Sequence, residues 1–167
     1  MEFDFIDWAL LEQLQANAAQ TNQALAERVC ISPPTALRRV RRLQAAGLIT
    51  RTVALLDADR VAALQGHGLT AIAEVSLDRQ GAEHLAAFEH RAVRESAVQQ
   101  CWRVAPGPDF MLVLRVRDMP GYQALAERLF TQDANVRNVR TFFATHCAKS
   151  VHEVPLHPAH DQGHRKS

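Results

Sequence analysis

Residues 32–49 read SPPTALRRVRRLQAAGLI, from Ser32 to Ile49. The stretch holds Arg38, Arg39, Arg41 and Arg42 and no acidic residue. It opens with helix start signals. Ser32 is of a type that caps the free N–H groups of a first turn. Pro33 fits the first helical position, where a missing N–H costs nothing, and Pro34 still lies in the tolerated first turn. Gly47 supplies the stop. Helical spacing groups Leu37, Val40, Leu43 and Gln44 on one side. It gathers Thr35, Arg38, Arg39 and Arg42 within roughly 100° of arc on the other, with Arg41 at the edge. The expected helix therefore buries an apolar stripe and shows guanidinium groups outward. A planar guanidinium fork binds phosphate oxygens, or the O6/N7 edge of guanine, with two parallel hydrogen bonds.

The residues upstream supply partners for this helix. Asp4 starts a helix, with Asp7 three residues on, and Ile6, Ala9, Leu10 and Leu14 recur at helical spacing to about Ala16. Thr21 caps a second helix whose apolar side is Leu25, Ala26 and Val29, and Cys30–Ile31 form the turn into the Arg-bearing helix. Three short helices with a brief turn between the last two predict a helix-turn-helix unit of winged-helix-like type. The second helix of such a pair lies in the major groove with its N-terminal residues at the base edges. Ser32, Pro33, Thr35, Arg38 and Arg39 occupy those positions, and Arg42 and Arg51 are placed for phosphate contact.

The totals leave room for that reading without demanding it. The chain has 167 residues, 47% hydrophobic and 22% charged, with net charge +1, so any nucleic-acid footprint must be local. Five arginines against no acid from Ser32 to Arg51 form such a patch. Cys30, Cys101 and Cys147 are odd in number and widely spaced, which argues against a disulfide framework or a metal knuckle. Reduced cysteines, no apolar run near the ~20 residues of a membrane span, and an acidic N-terminus without signal-peptide character predict a cytoplasmic protein.

The second half changes pattern. Leu69 to Leu77 alternates as a half-buried strand. A helix follows over about Gly81 to Ala92, then a strand through Val98, Trp102 and Val104. A corner at Pro106-Gly107-Pro108 leads to a third strand marked by Phe110, Leu112, Leu114 and Val116. Pro120 opens a helix with Tyr122, Leu125, Ala126, Leu129 and Phe130 at helical spacing. Val136 to Thr145 makes the fourth strand, with Phe142 and Phe143 on opposite faces. The order βαββαβ predicts a ferredoxin-like domain. The expected fold class is thus α+β. Residues 1–50 form the helix-turn-helix domain and 51–68 a linker of a short strand and helix. Residues 69–156 form the ferredoxin-like domain, and 157–167 a disordered, His-containing tail. Two helices cover one sheet face, leaving Ile72, Met111, Val113 and one phenylalanine uncovered on the other. An apolar sheet face of that kind marks an association surface, so a homodimer is expected.

At this point the residues resemble the Lrp/AsnC family, the feast/famine transcriptional regulators. The carrying elements are Phe3-Asp4-Phe5-Ile6-Asp7 with Leu10-Leu11, Leu25-Ala26-Glu27-Arg28-Val29, Ser32-Pro33, Arg39-Val40, Arg42-Leu43 and Gly47-Leu48-Ile49. The match runs on to Val154-Pro155-Leu156. The resemblance implies an N-terminal domain binding double-stranded DNA. It implies a C-terminal domain that dimerises, assembles to a tetramer or octamer, and binds a small effector, usually an amino acid. It places Ala105, Pro106, Gly107, Pro108 and Asp109 in the loop that helps form the effector pocket. Here the chain departs from the family, which commonly shows a Gly, two further residues and an Asp. Aligned on Asp109, the Gly position holds Pro106. Backbone N–H groups in such a loop can hold a carboxylate, and Pro106 and Pro108 have none to give. A different effector, or none, stays open.

Other constellations weigh less. His157, His160 and His164 with Asp161 have the ligand types of a zinc or nickel site but lie in the polar tail, so no metal is expected. Asp109 has no paired acid, base or nucleophile, and no glycine-rich phosphate loop occurs, so neither an enzyme nor a cofactor is expected. The leading expectation is a sequence-specific, effector-modulated transcription regulator. The alternative is an architectural protein that wraps DNA with little base selectivity.

Overall fold

The computed structural model describes residues 2–65 and 68–156. Those residues divide into two compact units, 2–55 with 149–156, and 56–65 with 68–148.

The first unit is a three-helix cluster: α1 (Phe5–Ala16), α2 (Asn22–Arg28) and α3 (Pro33–Ala45). Its boundaries follow from capping. Asp4 and Asp7 form a reciprocal capping box at the start of α1, each side chain accepting the other's backbone N–H at 3.1 and 3.0 Å. The Thr21 hydroxyl accepts from the Ala24 N–H at the start of α2. Ser32 holds the N-cap position of α3 without a side-chain cap bond; its hydroxyl pairs with that of Thr35 at 2.8 Å. Pro33 at the first turn leaves one orphan N–H fewer to cap. Gly47 ends the helix segment with φ at +74°, where an L side chain is disfavoured. Leu10, Leu11, Leu25, Ala26, Ala36 and Leu43 form the core. The small Ala26 and Ala36, both fully buried, let α2 and α3 approach closely.

One expectation about this half is corrected, and one set of contacts was not foreseen. Residues 50–57 form no strand. The segment 149–156, read as part of the second domain, packs with the first unit. Gln15 exchanges two hydrogen bonds with the backbone of Val154, at 3.1 and 2.7 Å, and Leu156 lies against the helical core.

The second unit begins with α4 (Ala58–Gln65), capped by the Asp57 carboxylate and grouped here rather than with a linker. Then come β1 (Leu69–Leu77), α5 (Ala82–Ala92), β2 (Val98–Arg103), β3 (Phe110–Val116), α6 (Met119–Ala126), a π-helical turn (Glu127–Thr131) and β4 (Val136–Phe143). All neighbouring strands are antiparallel, in the order β2-β3-β1-β4. Each helix thus links two parallel strands separated by a third, the split βαβ of the ferredoxin-like fold. Period-two alternation sends Ala71, Ala73, Val75 and Leu77 of β1 and Phe110, Leu112 and Leu114 of β3 into one core beneath α5 and α6. Phe88 of α5 meets Phe110 there at 4.8 Å between ring centroids. The π-helical turn extends α6 while keeping Leu129 and Phe130 buried, a local change of period that simple helical spacing does not foresee.

Among the described residues of this unit, no helix covers the opposite sheet face. Ile72 sits between Val113 and Phe142, and Glu74 between Met111 and Arg140, with Trp102 next to Met111. Trp102 is 59% exposed and Phe142 47%. The Arg140–Glu74 ion pair at 2.9 Å is a polar interruption in this apolar band.

Candidate nucleic-acid interface and effector loop

The arginines of α3 divide into two pairs, and the division differs from the outward row expected from spacing. Ala36 and Leu43 mark the buried line of the helix, with Val40 half-buried beside them. Leu37, assigned to the apolar side by spacing, is 42% exposed. The helix is therefore rotated from the expected setting, and Arg39 and Arg42 turn toward α1.

Both are held there by carboxylates. Arg39 Nη1 donates to both Asp4 oxygens at 2.8 Å and to Asp7 Oδ1 at 3.0 Å. Arg42 Nη2 pairs with Asp7 Oδ2, and its guanidinium lies 5.3 Å from the centre of the Phe3 ring. Asp7 is fully buried, the fate of a carboxylate only when paired and hydrogen-bonded. Arg39 keeps 18% of its side chain exposed and Arg42 37%. The Nε atoms of both arginines are buried and find no partner among the described residues. Partial burial pulls the Asp4 carboxyl up, but the hydrogen bonds from Arg39 and the Asp7 backbone outweigh it, and Asp4 lies below the usual carboxylate range. The hydrogen bonds to Asp4 and then Asp7 raise the Arg39 guanidinium in turn.

Arg38 and Arg41 are exposed and take no part in this network. With Pro34 and Leu37 they make up the outer side of α3. Ser32 and Pro33 are also exposed and Thr35 half-buried, so the N-terminal turn of the helix is accessible as expected. Arg51 is exposed in the irregular segment that follows. Arg41, placed only at the edge by sequence, thus joins the accessible set. The signal for Arg39 and Arg42 lay in Asp4 and Asp7, about thirty-five residues earlier.

In the second unit the loop Ala105 to Asp109 joins β2 to β3 as a hairpin. The Ala105–Pro106 peptide is cis and Gly107 has φ at +126°. Asp109 is anchored to the sheet rather than free: its Oδ2 accepts the Leu77 N–H at 2.6 Å and its own N–H donates to Val75 O at 2.9 Å. Ala105, Pro106 and Gly107 are exposed, and Pro108 is half-buried. A cleft of about 310 Å³ lies elsewhere in the unit, between α6, the π-helical turn and β4. Tyr122, Phe130, Thr131, Arg137 and Asn138 are among its lining, and the hairpin loop contributes nothing to it. Sequence spacing did not single it out, since its walls come from a helix and a strand that look like ordinary core elements. Among the described residues no cluster of three metal-ligating side chains occurs. His157, His160, Asp161 and His164 lie outside the described residues. No helix among the described residues is long and apolar enough to cross a membrane.

A helix-turn-helix unit presenting exposed arginines, in one chain with a ferredoxin-like unit whose second sheet face no described element covers, defines a class: two-domain DNA-binding regulators. Comparison narrows it. Residues 4–50 match the winged helix-turn-helix DNA-binding family, and residues 70–153 the Lrp/AsnC ligand binding domain. The chain belongs to the Lrp/AsnC family of transcriptional regulators. It is 35% identical to the leucine-responsive regulatory protein of Rhizobium meliloti over 93% of this chain and 97% of that one. An AsnC family transcriptional regulator from Agrobacterium tumefaciens superposes with a TM-score of 0.82 at 26% identity, covering 92% of this chain and 97% of that one. A transcriptional regulator from Neisseria meningitidis, solved as its L-methionine complex, superposes with a TM-score of 0.79 at 27% identity and the same coverage.

Proposed function

We propose that this chain is a sequence-specific regulator whose α3 enters the major groove and reads bases with Arg38, supported by Ser32, Pro33 and Thr35. Arg41 and Arg51 hold phosphates. The observation that carries this reading is the pair Arg38 and Arg41, exposed on the second helix of a helix-turn-helix unit and left out of the ion network that engages Arg39 and Arg42. Arg39 and Arg42, expected from spacing as DNA contacts, serve in this reading to hold α3 against α1.

The second unit binds a small effector, with an amino acid the best-supported class. The matched ligand binding domain and the L-methionine complex of a similar regulator support that assignment. The effector meets the hairpin Ala105, Pro106, Gly107, Pro108 and Asp109. With two prolines there, and the Asp109 N–H already spent on Val75, the loop offers few backbone donors. The effector's polar groups are therefore held mainly by side chains. The bare sheet face pairs two copies through Trp102, Met111, Ile72 and Phe142, and dimers assemble further to a tetramer or octamer. A dimer sets two recognition helices on one duplex at a spacing near ~34 Å or a multiple. The protein works in the cytoplasm, catalyses no reaction and carries no cofactor or metal.

Selection of bound fragments from genomic DNA, with and without a pool of amino acids, tests the reading. A regulator enriches a few fragments, prefers them over random duplex by about 10³ or more at physiological salt, and changes that set with the pool. Enrichment without sequence preference would favour an architectural, DNA-wrapping protein. Calorimetric titration with each of the twenty amino acids checks the effector: heat with one or a few supports the assignment, and heat with none removes it.

A further inference from the structure

We propose that Asp4 and Asp7 set DNA specificity by withholding Arg39 and Arg42 from the phosphate backbone. The inference rests on α3 being the DNA-reading helix.

Along one 13-residue helix this chain places four arginines, and arginine contacts to phosphate carry no sequence information. Each phosphate contact adds about 0.9 to the salt slope of binding and strengthens attachment to any duplex alike. With all four guanidinium groups turned outward, that uniform attraction would grow faster than base readout. The structure withdraws two of them. Asp7, fully buried, takes one oxygen to Arg39 and the other to Arg42. Asp4, with 55% of its side chain exposed, closes over Arg39 from the solvent side. Two negative and two positive charges make the cluster neutral, so the exposed charge of α3 is that of Arg38 and Arg41.

The cluster is more than packing of α1 on α3. Arg39 and Arg42 retain part of their side chains at the surface, and each engages the aspartates through a single Nη. Their donors are not exhausted by the two aspartates. Asp4 is the exposed member, so it is the one that a phosphate oxygen can displace. A phosphate must compete with a carboxylate already in place, and that competition is lost on a random duplex, where no base contact helps.

The test uses the full-length protein and four variants. Asp4→Asn keeps a capping oxygen at the start of α1, because Asn caps as well as Asp. Asp4→Asn with Arg39→Gln removes the arginine that the first change releases. Arg39→Gln alone reports that arginine with its carboxylates in place. Glu12→Gln removes one negative charge from the exposed side of the same helix and serves as the charge control. Each is shown to be folded by thermal unfolding, then titrated with a selected operator duplex and a shuffled duplex across a salt series. Asp4→Asn is expected to bind the shuffled duplex about three- to tenfold more tightly at low salt and to steepen its salt slope by roughly 0.9, one extra phosphate contact. Operator affinity rises less, so the specificity ratio falls. Arg39→Gln alone leaves the wild-type slope, and the double variant returns to it. The proposal is overturned if folded Asp4→Asn keeps the wild-type slope and ratio, if Glu12→Gln changes them equally, or if the double variant stays steep. A wild-type protein with no preference for any duplex would remove the regulator reading itself. Wild-type specificity with unresponsive variants would remove only this inference.

Discussion

Two pairs of arginines sit on one helix and do different things. Arg38 and Arg41 face solvent, while Arg39 and Arg42 are turned onto α1 and held by Asp4 and Asp7. Residue type does not separate the pairs, nor does local sequence, since the four lie within five positions. Their difference comes from what the fold places opposite them. A guanidinium beside a buried carboxylate is part of the scaffold, and one beside water is available to a ligand. The positive charge of a recognition helix therefore overstates its DNA footprint unless the acids of the packing partner are subtracted.

The strongest way to break this contrast is to remove the buried acid. Asp7→Ala strands two guanidinium groups and half of a capping box. Removing one partner of a buried pair costs about 3–5 kcal/mol. The partial exposure of Arg39 and Arg42 puts the expected loss near the lower end, about 3 kcal/mol. Urea unfolding followed by Trp8 fluorescence, in a Trp102→Phe background, reports the first unit alone. A midpoint unchanged from the parent would show that the pairs contribute little.

Arg38→Ala attacks the other pair. It should leave that unfolding curve in place while costing about 1–3 kcal/mol of operator affinity, the range for one base-reading contact. Arg41→Ala should lower affinity for operator and shuffled duplex alike and flatten the salt slope by roughly 0.9. Duplex titrations separate the two behaviours.

Much of this arrangement was legible in the sequence. The helix starts at Asp4 and Thr21, the stop at Gly47 and the alternation of Leu69 to Leu77 are local signals, and the elements form where those signals lie. The order βαββαβ and the bare sheet face follow from the same periodicities. What was illegible is long-range. Apolar spacing treats every arginine as outward, so it could not see Asp7 capturing Arg39 and Arg42 across 32 and 35 positions. Nor could it see Val154 returning to Gln15 across 139. Leu37 was misassigned for the same reason: two inward arginines rotate the buried line toward Ala36 and Leu43. Ser32 was expected to cap α3, and the Thr35 hydroxyl engages it instead.

The turn between α2 and α3 sharpens the contrast between scaffold and reader at smaller amplitude. Cys30 adopts a left-handed conformation, φ +56°, at an exposed site. A side chain there costs about 1–2 kcal/mol, partly offset by the extra freedom that glycine loses on folding. Cys30→Gly should therefore stabilise the first unit by up to about 1 kcal/mol and leave operator affinity unchanged. Thermal unfolding together with one duplex titration checks both halves.

The smallest effect is in acid. The folded-state carboxyl of Asp4 lies below its unfolded value, through its bonds from Arg39 and the Asp7 backbone. Its contribution to stability is thus fully present above the unfolded pKa, near ~3.9, and is lost as pH falls from there through the folded value. Melting temperatures of the wild type should drop more steeply below about pH 4 than those of Asp4→Asn. Parallel acid limbs would indicate that the Asp4–Arg39 pair is too solvated to matter.

The most direct measurement of the division on α3 is the specificity ratio of the double variant Arg38→Ala, Arg41→Ala, taken on an operator duplex and a shuffled one at physiological salt. With Arg39 and Arg42 engaged by α1, the remaining helix surface should lose operator affinity by at least tenfold, and the ratio should collapse toward that of non-specific binding. A folded double variant that keeps its operator affinity within twofold of the wild type would contradict the assignment, and would show that the reading is done elsewhere on the chain.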